Sequence, residues 1–521
     1  MTESINSWIK EIEVPFPSLS DNTADAERFE KTLKTALNIQ SVDMDIYLLA
    51  KLPELIRKNN FNLRCVLFKD HKRWHLAGIT DNHTDTVAGL AIDLGTTTVV
   101  LRLLNLSDGQ TLAESSFANP QISVGPDVLT RIHFAEKENG LETLKSLIVN
   151  GINSAVEKLC KSCNIRHSDI YLVSVAGNTA MTHLLLGLNP RYLIREPYIP
   201  VINRPGCQNA RELGIKANES AKVFVFPNTG SYFGGDLIAG ILYSGINRSE
   251  NTSILVDVGT NAEVVLGNKN WLVACAGAAG PALEGGVTKM GMVAGPGVID
   301  RISYDQKTQN FNVHTIEDLP PIGICGSGLI DLAAALFLSG MIDIRGKFVK
   351  DTCKTRLLDN DGFKTFIVIF AKDSAKGHDL TISQADLDSL IRSKAAMYTI
   401  LETIASYVGI LLSELVTFYV AGTFGSLIDA RSAITIGMLP DLAESTYKSI
   451  GNSSLEGASM ILKDCTLMDE IDAIRNSITY VELNVNQDFM NRFSAAKFIP
   501  HTNLSLFPSV KLIIPKYSSE N

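Results

Sequence analysis

The chain has 521 residues, a length that suggests about three or four structural units and excludes a single small module. Hydrophobic residues make up 45% of the sequence and charged residues only 20%, which predicts sizeable buried cores and excludes wholesale disorder. With 47 basic and 56 acidic residues the formal net charge is −9, so the composition argues against a general nucleic-acid binder.

The first residues and the cysteines indicate the compartment in which the chain works. The opening sequence, MTESINSWIKEIEVPFP, lacks the basic-then-apolar order of a signal peptide. No apolar run approaches the roughly 18 residues that a membrane-spanning helix needs. The eight cysteines are scattered too sparsely for a disulfide framework. We therefore expect a cytoplasmic protein with reduced thiols.

A small domain is predicted before the main part of the chain. Residues 1–10 are interpreted as an N-terminal lead and residues 11–88 as a small α+β domain. Within it, Phe29, Leu33 and Leu37 recur at four-residue steps, which predicts an amphipathic helix. A stretch rich in Thr, Asp and Gly near residue 88 marks the passage into the next domain.

The rest of the chain contains a weak internal repeat. The sequence Ile-Asp-Leu-Gly-Thr around Asp93 recurs as Val-Asp-Val-Gly-Thr around Asp257, and a Val-Val-Leu run follows each copy. The copies are far enough apart for each to open its own α/β lobe, which predicts two similar lobes facing one cleft. The predicted parts of residues 89–521 are lobe I at about 89–248, lobe II at about 249–440 and a C-terminal segment at about 441–521.

Each copy of the repeat predicts a strand that runs into a tight glycine turn and returns as a hairpin. Gly95 and Gly259 remove the side chain where a phosphate would approach the backbone, and the threonines that follow offer N–H and hydroxyl donors. Carboxylates at both hairpins would repel a polyphosphate unless Mg²⁺ lay between them. Asp93 and Asp257 are therefore candidate catalytic and metal-binding residues. For one copy alone, an ordinary hairpin with Asp in its turn is the alternative.

Further glycine-rich segments extend this pattern. Residues 421–425 predict a strand that ends in glycines, against which an adenine or ribose could lie. For this segment alone a glycine turn without a ligand is the favoured interpretation, and the two hairpins shift the balance toward a nucleotide contact. Residues 176–180 and 325–331 lead from glycine-rich turns into apolar helices. Close packing is one explanation, and in a two-lobed clamp such helices would act as a hinge.

Two additional carboxylates are candidates for the same site. Asp236 stands at the predicted start of a helix, where it could orient water against a γ-phosphate or simply cap the helix. Glu284 is a weaker candidate for a contact in the cleft. The candidate cofactor-binding residues are Gly95, Thr96, Thr97, Thr98, Gly259, Thr260, Asn261, Glu284, Gly326, Gly422, Thr423 and Gly425.

The order of these motifs over roughly residues 89–520 resembles the actin, sugar-kinase and heat-shock chaperone superfamily of ATPases. Five segments narrow the resemblance to the reductive activators of corrinoid proteins, including activases of methylamine and aryl-ether methyltransferase systems. Residues 15–33 (PFPSLSDNTADAERFEKTL) and 48–61 (LLAKLPELIRKNNF) are similar to the middle domain that those activators carry before their ATPase domain. The five segments are NPQISVGPDVLTRI (119–132), VAGNTAMTHLLLG (175–187), GPALEGG (280–286), ICGSGLID (324–331) and AGTFGSLIDARSAITIGMLPD (421–441).

The resemblance implies a fold, a reaction, cofactors and partners. The implied fold is a duplicated ribonuclease-H-like two-lobed ATPase preceded by a small α+β domain. The implied reaction is hydrolysis of ATP, with Mg²⁺, coupled to reduction of Co(II) to Co(I) on a corrinoid protein of a methyltransferase system. Neither a nucleic acid nor a membrane is an expected partner. The oligomeric state is open, with a homodimer among the alternatives.

The sequence departs from the family pattern in two places. Relatives commonly carry an iron–sulfur module, whereas Cys160 and Cys163 form the only C-x-x-C pair here, and a common cluster needs four ligands. One pair per chain could hold a cluster only at a site shared across a dimer, and ordinary thiols are the favoured interpretation. We therefore expect no iron–sulfur cluster and a separate low-potential electron donor. The usual Gly-Gly-Phe-Gly also stands here as Gly-Thr-Phe-Gly from Gly422 to Gly425. The competing functions are a small-molecule kinase of the same superfamily and a non-catalytic, nucleotide-gated binding protein.

Overall fold

A computed structural model describes residues 7–80, 86–259, 261–277, 288–422, 428–483 and 487–513. The chain divides into two compact units. Unit 1 comprises Met1–Tyr243 and Ser453–Ser477, and unit 2 comprises Ser244–Asn452 and Ile478–Asn521. The predicted C-terminal segment is thus shared between the units. In the described part of the chain, every helix is too short or too polar to cross a bilayer.

Unit 1 begins with a small α+β domain. Its four-stranded sheet has the spatial order Ile9–Glu13, Asn62–Asp70, Arg73–Thr80 and Val42–Asp43, and its helices are Asp25–Leu37 and Ile46–Lys58. The first helix buries Phe29 and Leu33 completely, as their four-residue spacing predicts. The first strand starts inside the segment interpreted as a lead, because Trp8 and the residues after it pack against this domain and its neighbours.

The main sheet of unit 1 has six strands. Their spatial order is Thr111–Ala118, Thr98–Asn105, Ala88–Leu94, Ile170–Gly177, Lys222–Val225 and Cys207–Asn209. The first three strands form an antiparallel meander, and the third through the fifth are parallel. The helices of unit 1 outside the small domain are Val128–Ala135, Gly140–Cys163, Thr179–Leu186, Ala210–Leu213, Gly235–Ser244, Ser453–Lys463 and Met468–Ser477.

Unit 2 repeats this arrangement. Its six-stranded sheet has the order Tyr447–Gly451, Thr417–Ala421, Ser253–Val258, Ala262–Asn268, Trp271–Gly277 and Ile478–Tyr480. Again a three-stranded antiparallel meander continues into two parallel strands. The duplicated ribonuclease-H-like arrangement of α/β sheets is therefore confirmed.

The other elements of unit 2 surround that sheet. One three-stranded sheet has the order Asn310–Thr315, Val298–Asp305, Gly323–Ile324. A second three-stranded sheet has the order Leu357–Asn360, Phe363–Ile369, Leu380–Ser383. The helices are Gly326–Leu338, Lys350–Cys353, Gln384–Tyr407, Ala430–Thr435, Gln487–Ala496 and Pro508–Ile513. The helix Gln384–Tyr407 is mostly buried, because it packs into the core that the strands of the main sheet also line.

A buried histidine lies where the end of unit 2 meets this long helix. His501 is 8% exposed, and its Nδ1 accepts a hydrogen bond of 3.0 Å from the Asn503 amide. The Lys394 ammonium, also buried, donates to the Pro500 carbonyl at 2.8 Å. Burial, and then the Lys394 charge, lower the pKa of His501 to about 4. His501 is therefore neutral in the folded chain at neutral pH.

We expect His501 to make the chain less stable as the pH falls. An unfolded histidine has a pKa of about 6.5. Between about pH 6.5 and about pH 4 the unfolded state therefore binds more protons than the folded state, and the free energy of unfolding falls. His501→Gln keeps a hydrogen-bond acceptor but does not titrate. Thermal unfolding at several pH values should show a shallower fall on acidification for the variant than for the natural chain. Parallel falls would contradict this assignment.

Candidate functional site

The first repeat places Asp93 at the carboxyl end of a central strand of unit 1. Asp93 lies opposite Val100 in the antiparallel neighbour and opposite Ala176 in the parallel neighbour. Its flanking residues, Ile92 and Leu94, are fully buried, whereas Asp93 itself is half-buried. This alternation follows from the two-residue period of a strand. The carboxylate accepts a hydrogen bond of 2.8 Å from the Ser454 hydroxyl.

A tight turn follows Asp93. A Cβ atom at Gly95 would lie 2.2 Å from the Thr98 carbonyl oxygen, so the turn has no room for a side chain at this position. Thr96 is half-buried, whereas Thr97 and Thr98 are exposed. Thr97 and Thr98 are therefore accessible to solvent at the end of this strand, and phosphate binding by the turn stays a prediction.

Two asparagines that the sequence analysis did not single out hold this turn. The Asn119 amide donates to the Gly95 carbonyl at 2.9 Å, and the Asn178 amide donates to the Thr96 hydroxyl at 2.9 Å. Asn178 also caps the helix Thr179–Leu186 by accepting from the Met181 amide at 2.9 Å. Both asparagines lie within the segments on which the family resemblance rests, but their role depends on contacts that no spacing indicates.

Asp236 lies at the same edge of the sheet. It stands in the first turn of the helix Gly235–Ser244 and accepts a hydrogen bond of 2.9 Å from the Leu237 amide. A Cβ atom at Gly234 would lie 2.5 Å from the Asn178 Cα atom and 2.5 Å from an Asp236 carboxylate oxygen. This hydrogen bond from a backbone N–H of the first helical turn is compatible with the capping alternative. A water-orienting role for Asp236 stays a prediction.

The topology explains why these residues converge in unit 1. Three parallel strands end side by side, and the segments that leave them carry the turn at Gly95, the cap at Asn178 and the helix start at Asp236. Ligands of open α/β sheets bind outside the carboxyl ends of such strands. The structure therefore brings together all the predicted site residues of the first lobe.

The second repeat builds a similar edge in unit 2. Asp257 is half-buried and lies opposite Ala421 in the parallel neighbour. Gly422, which follows that neighbour, has a φ of 80°, and a Cβ atom there would lie 3.1 Å from an Asp257 carboxylate oxygen. In the turn after Asp257, the Gly259 amide donates to the Asn261 carbonyl at 2.9 Å. Asp257 and Gly422, far apart in the sequence, are thus direct neighbours.

The remaining predicted residues fall into two groups. Gly326 is buried at the start of the helix Gly326–Leu338, and a Cβ atom at Gly328 would lie 2.6 Å from the Ile299 carbonyl oxygen. Close helix packing therefore accounts for part of this glycine-rich turn, and a cofactor contact at Gly326 stays a prediction. The predicted residues that lie outside the described part of the chain are Thr260, Glu284, Thr423 and Gly425.

Asp93 and Asp257 are each a single carboxylate near the end of a strand. Among the described residues, no group of three or more His, Cys, Asp or Glu side chains could hold a metal ion. Mg²⁺ usually keeps several waters and uses one or two carboxylates together with substrate phosphates. Binding of Mg²⁺ by Asp93 and by Asp257 stays a prediction.

The C-x-x-C pair lies at the end of a long helix. Cys160 and Cys163 occupy the last turn of Gly140–Cys163, with Cys160 buried and Cys163 half-buried. Burial raises the pKa of Cys160 to about 11. This thiol is therefore protonated at neutral pH in the metal-free chain.

Comparison with protein families covers nearly the whole chain. Residues 251–511 match the model of the C-terminal domain of RACo, the ASKHA domain, residues 88–249 match the RACo middle region, and residues 6–86 match the RACo linker region. The chain belongs to the RACo family. The small N-terminal domain corresponds to the RACo linker region. The sequence resemblance assigned it to the middle domain, but the RACo middle region is the segment that follows it.

Individual relatives agree with RACo membership. A solved structure of a reductive activator for a corrinoid, iron–sulfur protein is 38% identical, with a TM-score of 0.86 over 98% of this chain and 82% of that one. The corrinoid activation enzyme RamQ of Eubacterium limosum is 32% identical over 78% of this chain and 69% of its own length. A reductase of a Co(II) methylated amine-specific corrinoid protein from Methanosarcina barkeri is 23% identical over 75% of this chain and 73% of its own. The resemblance to reductive corrinoid activators is therefore confirmed.

Proposed function

We propose that this chain hydrolyses ATP to drive the reduction of Co(II) to Co(I) on a corrinoid protein of a methyltransferase system, with electrons from a separate low-potential donor. The observation that carries the proposal is the repeated sheet edge, with Asp93 beside the Gly95 turn in unit 1 and Asp257 beside Gly422 in unit 2. Membership of the RACo family and the names of two relatives that act on corrinoid proteins support the choice of partner.

Each part of the nucleotide has candidate residues. Asp93 and Asp257 would hold Mg²⁺, directly or through water, and the turn from Gly95 to Thr98 would bind phosphate through its amides and hydroxyls. The backbone at Gly422 would lie against the adenine or ribose. Bound Mg²⁺ would neutralise charge that develops on the phosphates. Asp236 would orient the attacking water, so that hydrolysis depends on its carboxylate.

Energetics explain why the reduction would need ATP. A ligand shifts an equilibrium only through its different affinities for the two states, so nucleotide must change how tightly the chain holds the Co(II) and Co(I) forms of its partner. A shift of about 10⁴-fold corresponds to about 5.5 kcal/mol. For a one-electron couple, at about 59 mV per tenfold change, this equals roughly 240 mV. Simple docking without nucleotide rarely provides such a difference.

We expect Co(I) to form only when this chain, a corrinoid partner, Mg·ATP and a low-potential donor are all present. The test is an anaerobic assay with titanium(III) citrate as donor, in which the absorbance of the corrinoid reports Co(I). Corrinoid proteins of several methyltransferase systems are offered in turn, and each component is omitted once. The non-hydrolysable analogue AMPPNP replaces ATP in a parallel sample.

The result distinguishes this function from its two competitors. Co(I) formation that depends on ATP supports the proposal. Release of ADP that depends on a sugar or acid, without any protein partner, would instead identify a small-molecule kinase. Binding of ATP and a corrinoid protein with neither hydrolysis nor Co(I) formation would identify a non-catalytic binding protein. Either of these two results would overturn the proposed function.

A further inference from the structure

A serine from the end of the chain touches the candidate catalytic carboxylate of unit 1. The Ser454 hydroxyl donates to an Asp93 carboxylate oxygen at 2.8 Å, and Ser454 is only 5% exposed. The two residues are 361 positions apart in the sequence. Ser454 stands in the first turn of the helix Ser453–Lys463, which packs on the strand that carries Asp93.

Other contacts fix the position of this helix. A Cβ atom at Gly457 would lie 2.1 Å from the Ala239 carbonyl oxygen, so the helix lies directly against the backbone of the helix Gly235–Ser244. At its other end, the indole of the fully buried Trp8 donates to the Ile461 carbonyl at 2.7 Å. The helix is therefore held at its middle and near its C-terminus, which fixes the backbone that carries Ser454.

The helix Ser453–Lys463 is also hydrogen-bonded to the strand Thr98–Asn105, which follows the Gly95 turn. Arg102, in that strand, donates to the Glu456 carboxylate at 2.6 Å and to the Ser459 hydroxyl at 3.2 Å. Arg102 is paired with Glu114 as well, at 2.8 Å. The helix is therefore bonded to the hairpin at Asp93 and at Arg102, two separate points.

We propose that Ser454 is a positioning residue that orients the Asp93 carboxylate toward Mg·ATP. The inference rests on the proposed function, because it takes Asp93 as the metal-binding residue. A hydroxyl bonded to one carboxylate oxygen fixes the plane of the carboxylate, so the other oxygen presents a defined direction to the metal. Outer partners of this kind orient metal-binding groups, and their loss typically lowers metal affinity by about 10- to 100-fold.

The test compares two serine-to-alanine variants of the same helix. Ser454→Ala removes the donor to Asp93. Ser459→Ala is the matched control, because Ser459 is 1% exposed, bonds Leu455 and Arg102, and lies one to two turns further along the helix. For each chain, ATP turnover is measured as a function of Mg²⁺ concentration at saturating ATP, and thermal unfolding is recorded in parallel.

We expect Ser454→Ala to raise the half-saturating Mg²⁺ concentration by about tenfold or more, whereas Ser459→Ala leaves it within about twofold of the natural chain. A purely structural role for Ser454 would lower the unfolding temperature without a selective effect on Mg²⁺. Equal Mg²⁺ dependence of the two variants therefore overturns the inference.

A second measurement keeps the inference separate from the proposed function. If the natural chain does not hydrolyse ATP, the proposed function fails, and the Mg²⁺ dependence of binding is then measured with a fluorescent ATP analogue. A higher half-saturating Mg²⁺ concentration for binding to Ser454→Ala than to Ser459→Ala still supports positioning of Asp93. Identical binding curves for the natural chain and both variants, or no binding at all, overturn it.

Discussion

Replacing Asp93 or Asp257 by alanine is expected to lower the kcat of ATP hydrolysis by at least about 100-fold. Each carboxylate stands at the end of a central strand, beside a position where only glycine leaves the backbone open. Loss of one preorganised electrostatic contact in an active site typically costs about 10²- to 10³-fold in kcat. Turnover at saturating Mg·ATP, measured by phosphate release, is the appropriate assay.

A matched control separates this effect from a general loss of acidic charge. Asp108 is an exposed aspartate in the turn between the strands Thr98–Asn105 and Thr111–Ala118. This turn lies at the end of Thr98–Asn105 that is remote from the Gly95 turn. Asp108→Ala should leave kcat within about twofold, since exposed charges distant from a site contribute little. Unchanged turnover in both Asp93→Ala and Asp257→Ala would show that the nucleotide binds elsewhere.

Gly95→Ala is expected to reduce ATP turnover as severely, although it adds only one methyl group. The new Cβ would lie 2.2 Å from the Thr98 carbonyl oxygen, which belongs to the backbone and cannot rotate away. The turn must therefore open, which would move the amides of Thr96 and Thr97 away from the proposed phosphate position. We expect a loss of at least about 100-fold in kcat/KM, because misplaced preorganised donors are as harmful as missing ones.

Gly295→Ala is the control for this substitution. A Cβ atom at Gly295 would meet only the Val293 carbonyl, at 4.0 Å, so the same change should be harmless there. Circular dichroism and thermal unfolding would show whether Gly95→Ala still folds. A folded Gly95→Ala chain with normal kcat/KM would mean that this turn does not bind phosphate.

Local patterns predicted the part of the site that lies within each hairpin. The alternation around Asp93 and the glycine after it are properties of a few adjacent residues, and both predict a strand followed by a tight turn. The repeat at Asp257 then predicts a second sheet of the same design, which the structure contains. The resemblance of longer segments to corrinoid activators predicted the family.

Contacts between distant segments were not predictable in this way. Ser454 meets Asp93, and Asn119 and Asn178 meet the Gly95 turn, through hydrogen bonds that depend on how strands and helices pack. Nothing in the composition near Ser454 distinguishes it from other serines in helices. Likewise, Gly422 was predicted as a site residue, but its position beside Asp257 follows from the pairing of two parallel strands.

The return of the chain to unit 1 has a consequence for synthesis on the ribosome. Unit 1 is complete only when Ser453–Ser477 has joined Met1–Tyr243, so its last helices emerge after most of unit 2 has been made. Until then the indole of Trp8 and the carboxylate of Asp93 lack their partners on the helix Ser453–Lys463. Domains generally fold as units while synthesis proceeds. Here the first unit to be translated is among the last to be completed, and a nascent chain that stops before Ser453 lacks the contacts that the helix Ser453–Lys463 makes with Trp8 and Asp93.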